Sequence, residues 1–347
     1  MEPTLLPEEE SPGSPNQCIT CQHPVIEPGH PTPLCSDCRQ KFIRYPIPLG
    51  IKIFGGFVAA ILIFALAGMR SNLSAGIHYE RGRKAIEQRN YFTAEKELNS
   101  VGKKISSFTE AREYLAIASF YNQDLQTFAT EVQALQGVKI EDQELYARLN
   151  ALVEKGSNYF PSDSFIALIE RYQLIKNIPD TVFLRYLANN NDELLPATHY
   201  ANTLFERKEY AACDSMLSLI LEKDAVYFNA LNLKSGVKRA LKEYDSSVYY
   251  ADRILSLNRE STLAMASKAR SLLRQKKDAA GLEWALKSVK LDGDDGYCKA
   301  TLALAYHFND QAAARDKLLN ELKKDSTGAS YAQFALDVIS GKEEFRN

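Results

Sequence analysis

Two hydrophobic patterns succeed one another along the chain. Between Arg44 and Arg70, 25 residues carry a single charge, Lys52, and Ile53–Met69 carries none. A helix of about 20 apolar residues crosses a hydrocarbon core of about 30 Å. Leu49–Met69 is 21 residues long, so the pattern predicts one transmembrane helix within 46–70. Lys52 stands near its end, where the stem can snorkel to the headgroups. Pro46 and Pro48 fall at the entry, where a first-turn N–H has no helical partner. A cleaved signal peptide is the competing reading, since Ala65-Leu-Ala67 has the form of a cleavage motif. The charged, cysteine-bearing stretch before it is too long for an ordinary leader. From residue 71 onward apolar residues recur at helical spacing with charges opposite, and no long alternating run predicts a strand.

That helical stretch repeats itself every 34 residues. Small residues recur at Ala201, Ser235, Ala269 and Ala303, followed by Leu217, Ala251, Ala285 and Leu319, then by Ile220, Ile254, Ser288 and Leu322. Tyr210 and Tyr244 share one place in the period. The same frame holds at Gly82 and Ala116, with Tyr91, Ala94, Leu98 and Val101 in register behind Gly82. Small residues at a helix crossing let two antiparallel helices approach closely, and larger residues fill the space from the facing helix.

This pattern resembles the tetratricopeptide repeat (TPR) family over most of residues 75–340. The resemblance is strongest over 194–329, four units in unbroken frame. It implies an all-α fold, a right-handed TPR-like α-solenoid of helix hairpins, preceded here by a small zinc ribbon and one transmembrane helix. The frame divides the array into TPR-like repeats at 71–141, an atypical helical segment at 142–193, four repeats at 194–329, and a capping helix and tail at 330–347. In the middle the period slips by 17 residues, from the in-frame Asn150 to Ala167. Tyr159-Phe-Pro161-Ser-Asp163 and Ile178-Pro179-Asp180 read as turns between three helices of 142–190. Gly341–Asn347 reads as a frayed tail.

Composition separates the N-terminus from the rest. Ten of the 13 prolines and four of the six cysteines lie in the first 48 residues. Residues 1–17, rich in Pro and Glu, predict a disordered tail. Cys18-Ile-Thr-Cys21 and Cys35-Ser-Asp-Cys38 form two C-x2-C knuckles, and the segment 18–45 resembles a zinc ribbon. Four thiolates suit a tetrahedral structural Zn2+, and the polar loop between the knuckles has no apolar core, so the metal would supply its folding free energy. Two disulfides, a redox pair, or replacement of a cysteine ligand by His23 or His30 remain as other readings. Cys213 and Cys298 read as isolated small core residues.

The flanking charges do not orient the membrane helix: Arg39, Lys41, Arg44 and Lys52 face Arg70, Arg81, Arg83 and Lys84. Thiolates stay reduced in a cytosol. The N-terminus is therefore expected in the cytoplasm, with the array outside the inner membrane of a bacterium. Gly55, Gly56, Ala59 and Ala60 form small-x-x-x-small pairs that would permit a homodimer through this helix. From Ser71 to the end 38 acids meet 37 bases, so there is no chain-wide basic field, and the sequence argues against a nucleic-acid partner.

No phosphate loop, dinucleotide fingerprint, H-E-x-x-H or G-x-S-x-G is present, and no enzyme is predicted. His78, His199 and His307 stand alone in first helices. Asp292-Gly-Asp-Asp-Gly296 lacks the spacing of a calcium loop and reads as a helix boundary, with Gly293 as C-cap and Asp294 or Asp295 as the next N-cap. Trp284 reads as core. The resemblance implies a groove that takes an extended peptide or a partner helix. Its inward positions include Asn202, Asn232, Arg239, Arg270 and Arg274. Asparagines can bond a peptide backbone and arginines a carboxylate. Without the resemblance these residues are solvated helix-face side chains. The family's clamp for a doubly acidic terminus would want lysine where Thr198, Asn232, Ala266 and Ala300 stand, and is not supported. The expectation is a membrane-anchored TPR scaffold for protein–protein interaction in a bacterial envelope. The alternative is a zinc-ribbon regulator that links a cytosolic partner to an envelope-sensing array.

Overall fold

The computed structural model describes residues 17–43, 47–172, 178–324 and 328–346, with 65–71 described by backbone alone. The expected disordered tail therefore lies outside the described residues but for Gln17. Every helix is α apart from one 3₁₀ turn, and no strand occurs among the described residues. The chain divides into two units, 1–70 and 71–347.

In the first unit the cysteine segment leads into α1 (Ser36–Ile43). α2 (Leu49–Glu87) begins in this unit and ends in the second. Along it Ile51, Ile53, Phe54, Phe57, Ile61, Leu62, Ile63 and Phe64 are all exposed. The transmembrane segment expected at 46–70 lies partly outside the described residues, at Pro46 and at the side chains of 65–70. Among the described residues no helix is long and apolar enough to cross a membrane.

The second unit is a succession of helix hairpins. The end of α2 pairs with α3 (Tyr91–Gly102), and α4 (Thr109–Asn122) with α5 (Leu125–Ala134). Next come α6 (Gln143–Gly156), the 3₁₀ turn Ser157–Tyr159, α7 (Asp163–Tyr172) and α8 (Asp180–Asn189). Four hairpins follow: α9 (Leu194–Glu206) with α10 (Tyr210–Lys223), and α11 (Phe228–Ala240) with α12 (Tyr244–Leu257). The remaining two are α13 (Thr262–Arg274) with α14 (Asp278–Leu291), and α15 (Gly296–Phe308) with α16 (Ala312–Lys324). α17 (Ala329–Ile339) closes the array. First helices start at 194, 228, 262 and 296, and second helices at 210, 244, 278 and 312, so both keep the 34-residue period.

Ala201, Ser235, Ala269 and Ala303 are all at 0% exposure, as a close crossing requires. At Gly82 a side chain would begin 2.6 Å from the Leu98 side chain, so only hydrogen fits. Each hairpin turns through a left-handed residue: Arg89, Gln123, Lys208, Lys242, Lys276 and Asp310 all have positive φ. The next residue's N–H then reaches five residues back, as from Glu209 to Leu204 O at 2.9 Å and from Lys277 to Leu272 O at 3.0 Å. These bonds satisfy carbonyls left open at the helix end. Asp295 caps α15 by accepting from the Cys298 N–H at 2.7 Å, whereas Gly293 is not left-handed and Asp292 ends α14. Trp284 is half-buried, with the Lys268 ammonium 4.2 Å from the centre of its ring.

Two features of this unit lie outside the repeat frame. First, the first hairpin meets the α12–α13 turn. Arg89 Nη1 donates to Ser256 O at 2.7 Å, and the Arg259 N–H donates to Arg89 O at 2.9 Å. Glu260 accepts from the Thr93 N–H at 2.7 Å and from its hydroxyl at 2.8 Å. Asn258, only 1% exposed, donates to Tyr121 O. The polar ends of the two turns match each other, which seals a contact 167 residues apart. Secondly, the tail at 341–346 is not frayed. Phe345 is 4% exposed and stacks on Phe308 with ring centres 5.4 Å apart, because α15 presents an aromatic ring that α17 leaves open.

Candidate metal centre and first-helix face

Tight backbone turns hold the four N-terminal thiols. Cys18 N–H donates to His23 O, and Gln22 N–H to Cys18 O with Gln22 left-handed. Cys35 precedes α1 and Cys38 lies in its first turn. The two strands of the loop meet through Ile19 N–H to Pro33 O and Glu27 N–H to Leu34 O. Apolar support is confined to Leu34 with Ile26 beside it, so burial alone cannot fold this segment.

The four sulfur atoms lie within 4.8 Å of one another, with Cys21 and Cys35 Sγ 3.5 Å apart. Thiolates about 2.3 Å from a zinc ion stand about 3.8 Å from each other in a tetrahedron, so the donor set fits a metal of that kind. All six cysteines are free thiols, and neither His23 nor His30 belongs to the cluster. Backbone N–H groups, that of Cys35 first, pull the Cys18 thiol down to about 6. Cys21 and Cys35 beside it push the Cys38 thiol up to about 12. A cation bound among the sulfurs would favour their thiolate forms. Cys213 and Cys298 are buried elsewhere as expected, Cys213 with its thiol on Ala201 O.

On the first helices of the array the expected residues separate into two groups. Asn202 on α9 and Asn232 on α11 are exposed and come together. With His199, Asn229, Thr198, Leu195 and Leu233 they line a depression of about 250 Å³. The His199 ring is stacked 5.8 Å from Phe183. Sequence reasoning placed His199 in a first helix as a partly buried or groove-lining histidine but left out Asn229, which falls one helical turn from Asn232.

Arg239, Arg270 and Arg274 form the second group, and Arg270 corrects the expectation of a solvated face. It is 8% exposed, with Nε donating to Thr301 Oγ1 at 2.8 Å. Its guanidinium lies 3.8 Å from the Tyr297 ring centre and 5.0 Å from that of Phe334. α17 supplies Phe334, and that covering helix buries a residue the repeat frame alone would leave open. A charge change at Arg270 is therefore not a neutral surface substitution. Arg239 Nη1 donates to Ser267 Oγ at 2.9 Å, within a buried cluster of Ser235, Ser247, Ser267 and Ser271. That serine cluster was not anticipated; small residues at crossings predict close packing, and a hydroxyl serves this as well as a methyl.

Among the described residues no carboxylate pairs with any of these three arginines. Arg270 Nη2 and Arg274 Nε are buried without a hydrogen-bond partner. Burial pushes Arg270 below its ordinary value, and the charges of Arg239 and Arg274 add to this. Burial raises the Tyr297 phenol, but Arg270 and Arg239 outweigh it and the net direction is down. Such a cluster favours a negative group brought from elsewhere.

No protein-family model matches the chain, and no curated protein matches it. Several solved structures are distantly similar to it. A tetratricopeptide repeat protein from Parabacteroides merdae is 11% identical with a TM-score of 0.38, covering 78% of this chain and 94% of that one. Pseudomonas aeruginosa pilF is 12% identical with a TM-score of 0.36, covering 79% and 99%. YrrB, a TPR protein with an unusual peptide-binding site, is 16% identical with a TM-score of 0.33, covering 46% and 82%.

Proposed function

We propose that this protein is a scaffold that holds an extended segment of a protein partner along its first helices. The observation that carries the reading is the set of three guanidiniums on α11 and α13 with no carboxylate of their own among the described residues. Asn202, Asn229 and Asn232 offer amide groups to a peptide backbone, and Arg239 and Arg274, half-buried, offer charge to an acidic side chain. The test is an array of acidic octapeptides probed with the full chain. Binding above that of alanine-substituted controls, lost tenfold or more in Arg239→Glu, supports the reading. No preference over those controls overturns it.

The N-terminal unit gives the scaffold its location. Cys18, Cys21, Cys35 and Cys38 hold one structural Zn2+, which would supply the folding energy that this segment's small core cannot. The charge-free run 53–69 and the exposed Ile and Phe side chains of α2 support a single membrane anchor. Reduced thiols favour a cytoplasmic N-terminus, with the array on the outer side of a bacterial inner membrane. Metal analysis of reduced protein should find one zinc per chain, and Cys35→Ser should weaken its retention at least tenfold. Protease added to spheroplasts should digest the array; protection there reverses the orientation.

A further inference from the structure

The segment after α17 makes contacts that a chain end held only by its helix would not. From Gly341 the chain passes back across three repeats. Glu344 stands 3.9 Å from Lys242, in the α11–α12 turn. Phe345 is buried between the Phe308 ring and Arg274, whose guanidinium lies 4.7 Å from its ring centre. Arg346 lies 3.7 Å over Phe308, pairs with Asp278 at 2.5 Å, and donates to Leu273 O at 3.2 Å.

These contacts fall on the C-terminal end of a first helix, on the turn behind it, or, at Asp278, on the first residue of the second helix. A stacked ring, a guanidinium over an aromatic face, an ion pair and a carbonyl together recognise two adjacent side chains, Phe345 and Arg346. That is how a peptide is bound, carried out here by the chain on itself. Arg274, one of the three arginines left without a carboxylate, lies under the bound ring.

We infer that residues 341–346 are an internal ligand: they fill a slot formed by Arg274, Leu273 O, Asp278 and Phe308, which takes an aromatic residue followed by a basic one. The segment leaves the slot before a partner segment of the same chemistry enters. Occupation in cis sets a high local concentration, so an external peptide meets a closed slot in the full chain and an open one when the segment is removed. Only the consequence for partner binding rests on the reading of the first-helix face; the slot itself does not.

The experiment uses the synthetic peptide Gly-Lys-Glu-Glu-Phe-Arg-Asn, residues 341–347, carrying a fluorophore, and reads its anisotropy. Three proteins are compared: the full chain, the chain ending at Gly341, and the full-length Phe345→Ala, Arg346→Ala variant. Both altered proteins should bind the peptide at least tenfold more tightly than the full chain, and a peptide with both residues changed to alanine should bind none of them. If a correctly folded altered protein ignores the peptide, or the full chain binds it equally well, the inference fails. It also fails if both altered proteins lose their helical signal, since the segment is then a structural clamp. Peptide capture by the chain ending at Gly341 that persists when Arg239→Glu is added to it upholds the slot even where the acidic-peptide reading has failed.

Discussion

The methyl of Ala269 is fully buried, and its carbonyl stands 3.3 Å from where a side chain at Gly281 would begin. Overpacking such a crossing costs about 1–3 kcal/mol. Ala269→Leu should lower the melting temperature of the array, and an unchanged melt would mean that the crossing has more room than these distances allow. Glu95 offers a different single-residue test. Burial pushes its carboxyl from 4.5 up to about 7, while the Asn122 side chain donates to it at 2.7 Å. The folded chain then keeps a proton that the unfolded chain has released between those values. Its contribution is therefore complete below 4.5 and is lost as pH rises through about 7. After allowance for solvent screening the loss is about 1 kcal/mol. Glu95→Gln should flatten the melting profile between about pH 5 and pH 8. A variant that keeps the parent's slope would assign that slope to other groups.

At the scale of the element, the hairpin turns depend on residues poorly suited to their backbone. Lys276 sits at a φ of 61° with its side chain exposed. The left-handed region costs a residue with a side chain about 1–2 kcal/mol, and a β-branched one more. Lys276→Gly should hold or raise stability, whereas Lys276→Val should lower it by about 1 kcal/mol. Equal melts for the two would deny the turn its strain. Local sequence marked these turns only as short and polar; their left-handed residues went unannounced, because lysine, arginine and glutamine stand where glycine would have given the signal. The small residues at crossings were legible for the opposite reason: only a few residue types fit there, and they recur at a fixed interval.

For the whole array, the contact between the first hairpin and the α12–α13 turn is the feature with most to test. Glu260 accepts two bonds from Thr93, and hydrogen bonds to a charged group are worth about 1.5–3 kcal/mol each before solvent competition. Glu260→Ala should raise amide exchange in α3 and leave α15 and α16 as they were. A uniform rise throughout would show that the array opens as one cooperative body. A fragment restricted to 194–329 also lacks this contact and the 341–346 segment, so it should melt below the array spanning 71–347.

The sequence by itself determined what is local or periodic. The 34-residue interval placed every helix of the four in-frame hairpins, and the paired C-x2-C spacing brought four thiols within reach of one ion. Both follow from chain geometry over a few turns of helix or a single loop. Tertiary structure alone decided the rest. Whether Arg270 faces water depends on α17 crossing above it. Whether Phe345 is buried depends on Phe308, 37 residues earlier, being left open by its own neighbours. Thr93 meets Glu260 only because the helices packed between them bring the first hairpin onto the α12–α13 turn. Contacts of that range leave no period in the sequence, since one end of each pair constrains the other only after the helices between them have packed.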